Sequence, residues 1–270
     1  MRIYLFTSLA LLIIISSVSK AAEFFEPISP PRRFQVMAHR GAMSDAPENT
    51  RPALDRCVDL RIEWAEVDVR LTKDGQHIVF HDSTVDGKTD GTGAVSDLTL
   101  AEIKLLDAGS HFSDQFKGER ILTLKECLTI ARNRLNLYLD CKSIDPELIV
   151  HEILDADMAN QVVVFDSVEV LEKVRLLSKG QIPIMPKWHT DYGIEDWVAK
   201  WKPSAVEINH NEVTPDVCAR FHALGIKVQA KVLDEADIPA VWTRMLECGV
   251  DWLQTDRAPE LLRLHESPDR

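Results

Sequence analysis

Short apolar segments and amphipathic segments alternate along most of this chain, and that alternation restricts the fold more than any other feature. The apolar segments have the length and residue types of buried strands, and each precedes a stretch with helical periodicity. The strand-like segments are eight: FQVMAH, WAEVDVRL, LNLYLDC, QVVVFD, IPIMPKW, AVEINH, KVQAKV and DWLQTD. Eight strands that each precede a helix predict an α/β fold, a (β/α)₈ TIM barrel. A doubly wound open sheet is the alternative, although it does not require so regular a count.

An insertion interrupts the alternation between the second predicted strand and its helix, over about residues 82–120. The segment HIVFHD just before it alternates like an extra strand, and the glycines and aspartates that follow are typical of turns. Insertions at this end of a barrel usually cover or shape the active site. We therefore expect a small capping element.

The first 22 residues read as a secretory signal peptide. They contain one early basic residue, an apolar run from Ile3 to about Ile15, and small residues that end in Ser19-Lys20-Ala21 or Lys20-Ala21-Ala22. An uncleaved anchor is the alternative, but the apolar run is shorter than the roughly 20 residues that a spanning helix needs. We expect cleavage, export to the periplasm or the extracellular space, no stable membrane span afterwards, and one domain over residues 23–270.

Charge and cysteine content narrow the class of partner. A formal net charge of −12 argues against binding to nucleic acid, which requires a basic face, so a phosphate ligand must be met by local cations. The five cysteines are odd in number and lie within apolar segments, which predicts buried free thiols, with one disulfide as the alternative. The sequence does not indicate an oligomeric state.

Charged residues stand at the C-terminal ends of the first three predicted strands. In a barrel these ends meet at one mouth, where the chemistry takes place. The residues are His39 and Arg40 on the first strand, Glu66 and Asp68 on the second, and Asp140 and Lys142 on the third. Residues two apart on a strand point to the same side, so each pair on the second and third strands shares a face. We expect these charges to meet in one place.

The three carboxylates predict a metal site. Buried like charges need compensation, and a divalent ion held by Glu66, Asp68 and Asp140 would supply it. Oxygen ligands favour Ca²⁺ or Mg²⁺, or Mn²⁺, over zinc. The alternative is that Arg40 and Lys142 neutralise the carboxylates without a metal.

His39 and His81 both follow apolar strands on the predicted active face. Two histidines, a metal and two cations together suit the binding of a phosphodiester, the deprotonation of a nucleophile and the protonation of an alkoxide leaving group. Glu48 and Asn49 are expected to hold the loop after the first strand over the site. Asn49 either caps the next helix together with Thr50 or contacts substrate.

Several motifs resemble the glycerophosphodiester phosphodiesterase family when taken in order. They are AHRG, PENT, EVDVRLTKDGQHIVFHD, GTGAVSDLTLAEIKLLDAGSHFSDQFKGERILTLKECL and ECGVDWLQTDRAPELL. The resemblance covers nearly the whole chain after the leader and implies a capped TIM barrel, a divalent ion, and hydrolysis of small-molecule glycerophosphodiesters to glycerol 3-phosphate and an alcohol. Its implied roles are acid and base for His39 and His81, phosphate contacts for Arg40 and Lys142, and metal ligands for Glu66, Asp68 and Asp140.

The chain departs from the family pattern in two places. The third strand of the family usually ends Glu-x-Lys, whereas this chain has Asp140-Cys141-Lys142, one methylene shorter at the first position. The seventh strand often carries a Trp-Thr pair, where this chain has Ala230 and Lys231. We therefore expect a remodelled wall of the substrate site with Lys231 in a supporting role.

The sequence thus favours an exported metal-dependent phosphodiesterase that acts on deacylated phospholipid head groups. Intramolecular transfer that releases a cyclic phosphate needs the same histidines and metal and remains an alternative. A non-catalytic barrel that binds a phosphate ligand is the other, although binding alone would not require an acid and base pair.

Overall fold

Parallel strands close into a barrel in the computed structural model, which describes residues 23–265. In this range the strands are β1 (Gln35–Ala38), β2 (Trp64–Leu71), β3 (His77–Val79), β4 (Asn136–Cys141), β5 (Val162–Phe165), β6 (Ala205–Asn209), β7 (Lys227–Lys231) and β8 (Trp252–Thr255). All but β3 are parallel, in the order β5-β4-β2-β1-β8-β7-β6, and β3 pairs antiparallel with β2. The predicted TIM barrel is confirmed, because this is the cyclic chain order of a barrel rather than that of an open sheet.

Helices cover the outside of the barrel, and one of them follows each of the eight segments that form the barrel wall. Their bounds are α1 (Arg51–Asp59), α2 (Leu100–Ile103), α3 (Leu124–Ala131), α4 (Pro146–Asp155), α5 (Val168–Leu177), α6 (Ile194–Trp201), α7 (Pro215–Ala223), α8 (Pro239–Cys248) and α9 (Ala258–His265). Proline occupies the first turn of several of them, where its missing N–H costs nothing, as in α4 and α7. The short helix α2 lies inside the insertion.

The fifth predicted strand, IPIMPKW, is wrong as a regular strand. Pro183 and Pro186 have no N–H to donate, so a continuous ladder cannot form over residues 182–188. Their carbonyls still accept hydrogen bonds, from Val164 N at 3.1 Å and from Glu207 N at 3.2 Å. Two isolated parallel bridges result, and the segment fills the gap between β5 and β6.

Side chains alternate between the outside and the inside of the barrel along each strand. The outward residues, such as Val67 and Leu139, pack against the helices. At the N-terminal end of the barrel the inward residues are aromatic: the rings of Trp64 and Trp252 lie 4.5 Å apart, and Phe24 from the segment before β1 packs edge-on against both, at 5.3 and 5.0 Å. This end is closed by apolar rings, and the inward carboxylates Glu66, Asp68 and Asp140 lie at the C-terminal end, the mouth.

The insertion between β3 and α3 folds around a small apolar core of its own. Its turns are held by Asp107, whose carboxylate accepts hydrogen bonds from the N–H groups of Gly109 at 2.8 Å, Ser110 at 2.9 Å and Gly118 at 2.8 Å. A Cβ at position 109 would lie 1.9 Å from the carbonyl oxygen of Phe116, so only glycine fits. The element lies where the sequence predicts the cap.

The five cysteines are unpaired, and all but Cys248 are buried, which confirms the prediction of free thiols. Among residues 23–265 no helix is long and apolar enough to cross a membrane. The predicted signal peptide, residues 1–22, lies outside the described residues.

Candidate active site

Three buried carboxylates meet at the barrel mouth. Glu66 and Asp68 point inward from β2, and the pairing of Asp68 with Asp140 brings the third carboxylate alongside from β4. One oxygen from each of the three lies within 4.8 Å of the others. The structure thus brings together the three residues for which the sequence predicts a metal site.

The environment of Glu66 fits a divalent cation. Its Oε2 accepts a hydrogen bond from Arg40 N at 2.8 Å, but its Oε1 is buried and accepts none from the described residues. Burial, together with the charges of Asp68 and Asp140, raises the pKa of Glu66 well above its usual range. A hard divalent ion would take up the free oxygen and restore the ionised form.

Lys142 compensates part of the negative charge. Its Nζ lies 2.7 Å from Asp140 Oδ2 and 3.3 Å from Asp68 Oδ1. Burial alone would lower the pKa of this ammonium, but the two carboxylates outweigh it and raise the pKa. One lysine cannot balance three carboxylates, which is why the neutralisation without metal depends on Arg40 as well.

The loop after β1 turns sharply so that its backbone faces the carboxylates. Arg40, Gly41 and Asn49 adopt left-handed backbone conformations, with φ of 52°, 78° and 59°. At Gly41 a Cβ would also lie 2.9 Å from the Cβ of Ala53, so the position requires glycine twice over. The strained turn at Arg40 directs its N–H to Glu66, and such strain commonly accompanies functional sites.

Arg40 is held beside the carboxylates by Glu48. Its Nη1 lies 2.9 Å from Glu48 Oε1, and its Nε lies 3.6 Å from Asp68 Oδ2. Burial acts to lower the pKa of the guanidinium, but Glu48 and Asp68 raise it. The second oxygen of Glu48 contacts Lys88 Nζ of the insertion at 2.8 Å, which joins the cap to the loop.

Asn49 holds the loop after β1 over the carboxylates, as the sequence predicts, but its side chain does not cap α1. Thr50 is the N-cap residue of α1, and no side-chain capping bond is made there. The Asn49 amide donates to Asp68 Oδ2 at 2.8 Å, and its carbonyl accepts from Asp68 N at 3.1 Å. Asn49 is buried and both ends of its side chain are used, so it positions Asp68; its contact with substrate stays a prediction.

His39 is held by a residue that the sequence analysis missed. Its Nδ1 lies 2.6 Å from Asp256 Oδ1, and its Nε2 lies 3.7 Å from Glu66 Oε2. Burial would raise the pKa of Asp256, but the contact with His39 lowers it, so Asp256 is an ionised acceptor. Nδ1 therefore donates to Asp256, and Nε2 is the ring nitrogen that faces the carboxylates. The sequence did contain a signal for this contact: Asp256 is the final residue of the last predicted strand, which neighbours the first strand in a closed barrel.

His81 begins the insertion next to β2. Phe80 N donates to Asp68 O at 2.9 Å, and Arg70 Nε donates to His81 O at 2.7 Å, so the main chain is fixed beside the carboxylates. The ring Nδ1 lies 2.7 Å from Asp82 Oδ1, and a third of the side chain (33%) is exposed. His39 and His81 thus each have one ring nitrogen, Nδ1, in contact with a carboxylate.

On the opposite side of the barrel, Glu207 of β6 has polar partners that the sequence analysis did not connect. The hydroxyl of Tyr138, which reaches across from β4, donates to Glu207 Oε2 at 2.8 Å, and Lys187 Nζ lies 4.0 Å from Glu207 Oε1. Burial and the charge of Glu207 raise the pKa of Tyr138 well above its usual range, so it stays a donor. Lys231, expected in a supporting role, ends β7 on this side.

Comparison with known proteins agrees with the site. The family model of the Glycerophosphoryl diester phosphodiesterase family matches residues 39–260. A glycerophosphodiester phosphodiesterase of Caldanaerobacter subterraneus is 31% identical over 240 residues, which cover 85% of this chain and 96% of the relative. The mouse glycerophosphodiester phosphodiesterase 1 is 38% identical over 130 residues, 44% of this chain and 39% of the relative.

Solved structures share the fold. A glycerophosphodiester phosphodiesterase from Agrobacterium tumefaciens has a TM-score of 0.77 at 28% identity and covers 86% of this chain and 99% of its own. An Oleispira antarctica phosphodiesterase, solved with sn-glycerol-3-phosphate, has a TM-score of 0.72 at 24% identity and supports the fold alone. Fold and site define a TIM-barrel enzyme of the phosphoric diester hydrolase class. Within that class, the chain belongs to the glycerophosphodiester phosphodiesterase family.

Proposed function

We propose that this chain is an exported, metal-dependent phosphodiesterase that hydrolyses glycerophosphodiesters, the deacylated phospholipids, to glycerol 3-phosphate and an alcohol. The observation that carries the proposal is the buried carboxylate cluster, with its free Glu66 oxygen, beside the Nε2 of His39. Family membership supports the small-molecule substrate class. Export rests on the predicted signal peptide and is tested by the N-terminal sequence and the cell fraction of the expressed protein.

Glu66, Asp68 and Asp140 would hold the ion, for which Ca²⁺, Mg²⁺ or Mn²⁺ is suited to the oxygen ligands. When bound, such an ion polarises phosphoryl oxygens and makes water a better nucleophile. Arg40 and Lys142 border the cluster and would bind the phosphate oxygens, the guanidinium through two parallel hydrogen bonds.

The two histidines divide the proton transfers. His39, with its proton held on Nδ1 by Asp256, accepts the proton of the attacking water at Nε2. The new O–P bond forms as the ester bond to the alcohol breaks, and His81 gives its proton to the departing alkoxide oxygen. His39 then carries the proton that water lost, so proton exchange with solvent restores both rings.

Product analysis tests this function. The mature protein is incubated with glycerophosphocholine, glycerophosphoethanolamine and a lysophospholipid, with and without chelator, and products are followed by phosphorus NMR. We expect a phosphomonoester signal that chelator abolishes. A cyclic phosphate would show intramolecular transfer instead. No turnover with any divalent ion would favour the non-catalytic binding barrel.

Substitution of the histidines tests the proton transfers. We expect His39→Ala and His81→Ala each to lower kcat by about 10²-fold or more, the usual cost of losing a general acid or base. His222→Ala is the matched control, because that ring is bound to Asp251, at the start of β8 and away from the mouth. Near-wild-type turnover of either mouth variant would remove that histidine from the mechanism.

Metal titration by calorimetry tests the third ligand. We expect Asp140→Asn to weaken binding of the ion strongly, because one of three negative charges is lost while the side-chain shape is nearly kept. Asp140→Glu restores the longer side chain and should bind the ion at least as tightly as the wild type. If Asp140→Asn binds the ion with wild-type affinity, Asp140 is not a ligand and its role is the ion pair with Lys142.

A further inference from the structure

Two lysines line the side of the mouth formed by β6, β7 and the proline-containing segment 182–188. Lys231 follows Gln229 on the inward face of β7, where Gln229 Nε2 donates to the Gln254 side chain inside the barrel at 3.1 Å. Lys187 forms a parallel bridge with Glu207, and their side chains approach to 4.0 Å inside the barrel. Both ammonium groups therefore belong to the inner wall of the mouth.

One of the two ammonium groups on this wall has no carboxylate in contact with it among the described residues. Glu207 is buried, accepts the Tyr138 hydroxyl at 2.8 Å and faces Lys187, so its carboxylate is already used within the protein. Lys231 is half-buried and makes no ion pair or side-chain hydrogen bond with any residue in the described range 23–265. Glu207 already faces Lys187, so Lys231 carries the ammonium on this wall that no described carboxylate pairs with.

The barrel order places this wall opposite the carboxylate cluster. The ring runs β1, β2, β4, β5, the segment 182–188, β6, β7 and β8. β7 therefore lies across the mouth from β4, which carries Asp140. If Arg40 and Lys142 bind the phosphate as proposed, one alcohol of the diester would extend across the mouth toward Lys231.

We propose that Lys231, with a smaller contribution from Lys187, selects glycerophosphodiesters whose second alcohol carries another phosphate group. The inference rests on the proposed hydrolysis. Glycerol itself is uncharged, so the group that pairs with Lys231 must lie on the other alcohol of the diester. A quaternary ammonium head group would instead be repelled by the unpaired ammonium, because like charges in a partly buried site interact strongly.

A matched pair of substrates tests the preference: glycerophosphoglycerol and bis(glycerophospho)glycerol, which has the same linkage and one further phosphodiester. The second substrate offers two equivalent phosphodiesters, so indifference to its extra charge gives a kcat/KM ratio of about two. We expect the wild-type ratio to exceed this by about tenfold, the factor for one charge-assisted hydrogen bond, and to fall as salt is added.

Lys231→Gln should bring the ratio back toward the statistical value, and Lys187→Gln should lower it less, because Glu207 already compensates that charge. Lys173→Gln is the control for net charge, since Lys173 is exposed on α5 and remote from the mouth. We expect it to keep the wild-type ratio. Turnover of both substrates at the statistical ratio, unchanged in Lys231→Gln, would overturn the inference and leave the proposed hydrolysis standing.

If neither substrate is turned over, the proposed hydrolysis fails and binding decides the inference. Calorimetry then compares glycerol 3-phosphate with glycerol 1,3-bisphosphate. Tighter binding of the bisphosphate that is lost in Lys231→Gln supports a second phosphate site at Lys231. Equal affinity of the two ligands, in wild type and variant alike, overturns it.

Discussion

A carboxylate behind a histidine fixes which ring nitrogen carries the proton, and at this mouth the pair is Asp256 and His39. The contact joins residues 217 positions apart in the sequence at 2.6 Å. Asp256 reaches His39 because β8 pairs with β1 along its whole length. Its role follows from barrel closure rather than from any local motif.

We expect Asp256→Asn to lower kcat by about tenfold to a hundredfold with little change in KM, because the ring loses its fixed tautomer and its counter-charge. The measurement is steady-state kinetics of the single variant, of His39→Ala, and of the double variant. If Asp256 acts through His39, the double variant is no slower than His39→Ala alone. Additive losses would mean that Asp256 contributes separately and does not position His39.

Residue patterns in the sequence predict the carboxylate cluster well, but they do not predict the hydrogen-bond partner of Asn49. Glu66 and Asp68 are two apart on a strand, so their shared face follows from geometry alone. Asn49 precedes a helix and therefore looks like a cap, but the buried carboxylate of Asp68 needs a donor, and that long-range demand prevails. Partners that meet only after the barrel closes, such as Asp256, lie beyond a local pattern.

At the scale of elements, the insertion and the loop after β1 act as one unit. Glu48 in the loop accepts a hydrogen bond from Arg40 with one carboxylate oxygen and a hydrogen bond from Lys88 of the insertion with the other. The insertion in turn has its own core and its own turn structure around Asp107. The cap thus contributes directly to the position of the guanidinium.

We expect Lys88→Met to raise KM for glycerophosphodiesters by about threefold to tenfold, because a freed Glu48 holds Arg40 less firmly and partly exposed ion pairs contribute modestly. Lys88→Arg should restore most of the affinity by keeping the charge. Lys117→Met is the matched control, as Lys117 is an exposed lysine of the same insertion. A KM for Lys88→Met equal to that of the control would show that the cap does not act on Arg40.

The sequence predicted segment 182–188 correctly as part of the barrel wall but wrongly as a regular strand. Its apolar pattern correctly indicated a piece of the barrel wall between β5 and β6. Its two prolines were a visible signal against a regular strand, since proline within a strand pattern removes ladder hydrogen bonds. That its carbonyls would nevertheless close the barrel depends on the neighbouring strands.

At the scale of the whole molecule, the two ends of the barrel differ in character. The mouth collects the carboxylates, cations and histidines, and the other end is closed by Trp64, Trp252 and Phe24. The eightfold alternation was enough to predict the closed barrel. No pattern before β1 indicated that Phe24 completes its core, because the adjacent pair Phe24 and Phe25 shows no periodicity that separates a buried ring from an exposed one.

We expect Phe24→Ala to lower the free energy of unfolding by about 2 kcal/mol, less than the roughly 3–5 kcal/mol of a fully buried phenylalanine because this ring is only partly buried. Urea unfolding at constant m-value measures the change, and turnover per folded molecule should be retained. Phe112→Ala is the control: that ring is 38% exposed in the insertion and should cost about 0.5 kcal/mol or less. Equal losses in the two variants would contradict a core role for Phe24.

The packing of Phe24 also fixes an orientation. Because this ring lies at the end of the barrel away from the carboxylate cluster, the chain enters the molecule from that end. Anything coupled ahead of Glu23, whether a purification tag, a resin or a sensor surface, would therefore attach to the underside, and the mouth would face the solution. Immobilisation through the N-terminus should leave diffusing substrates free to reach the enzyme.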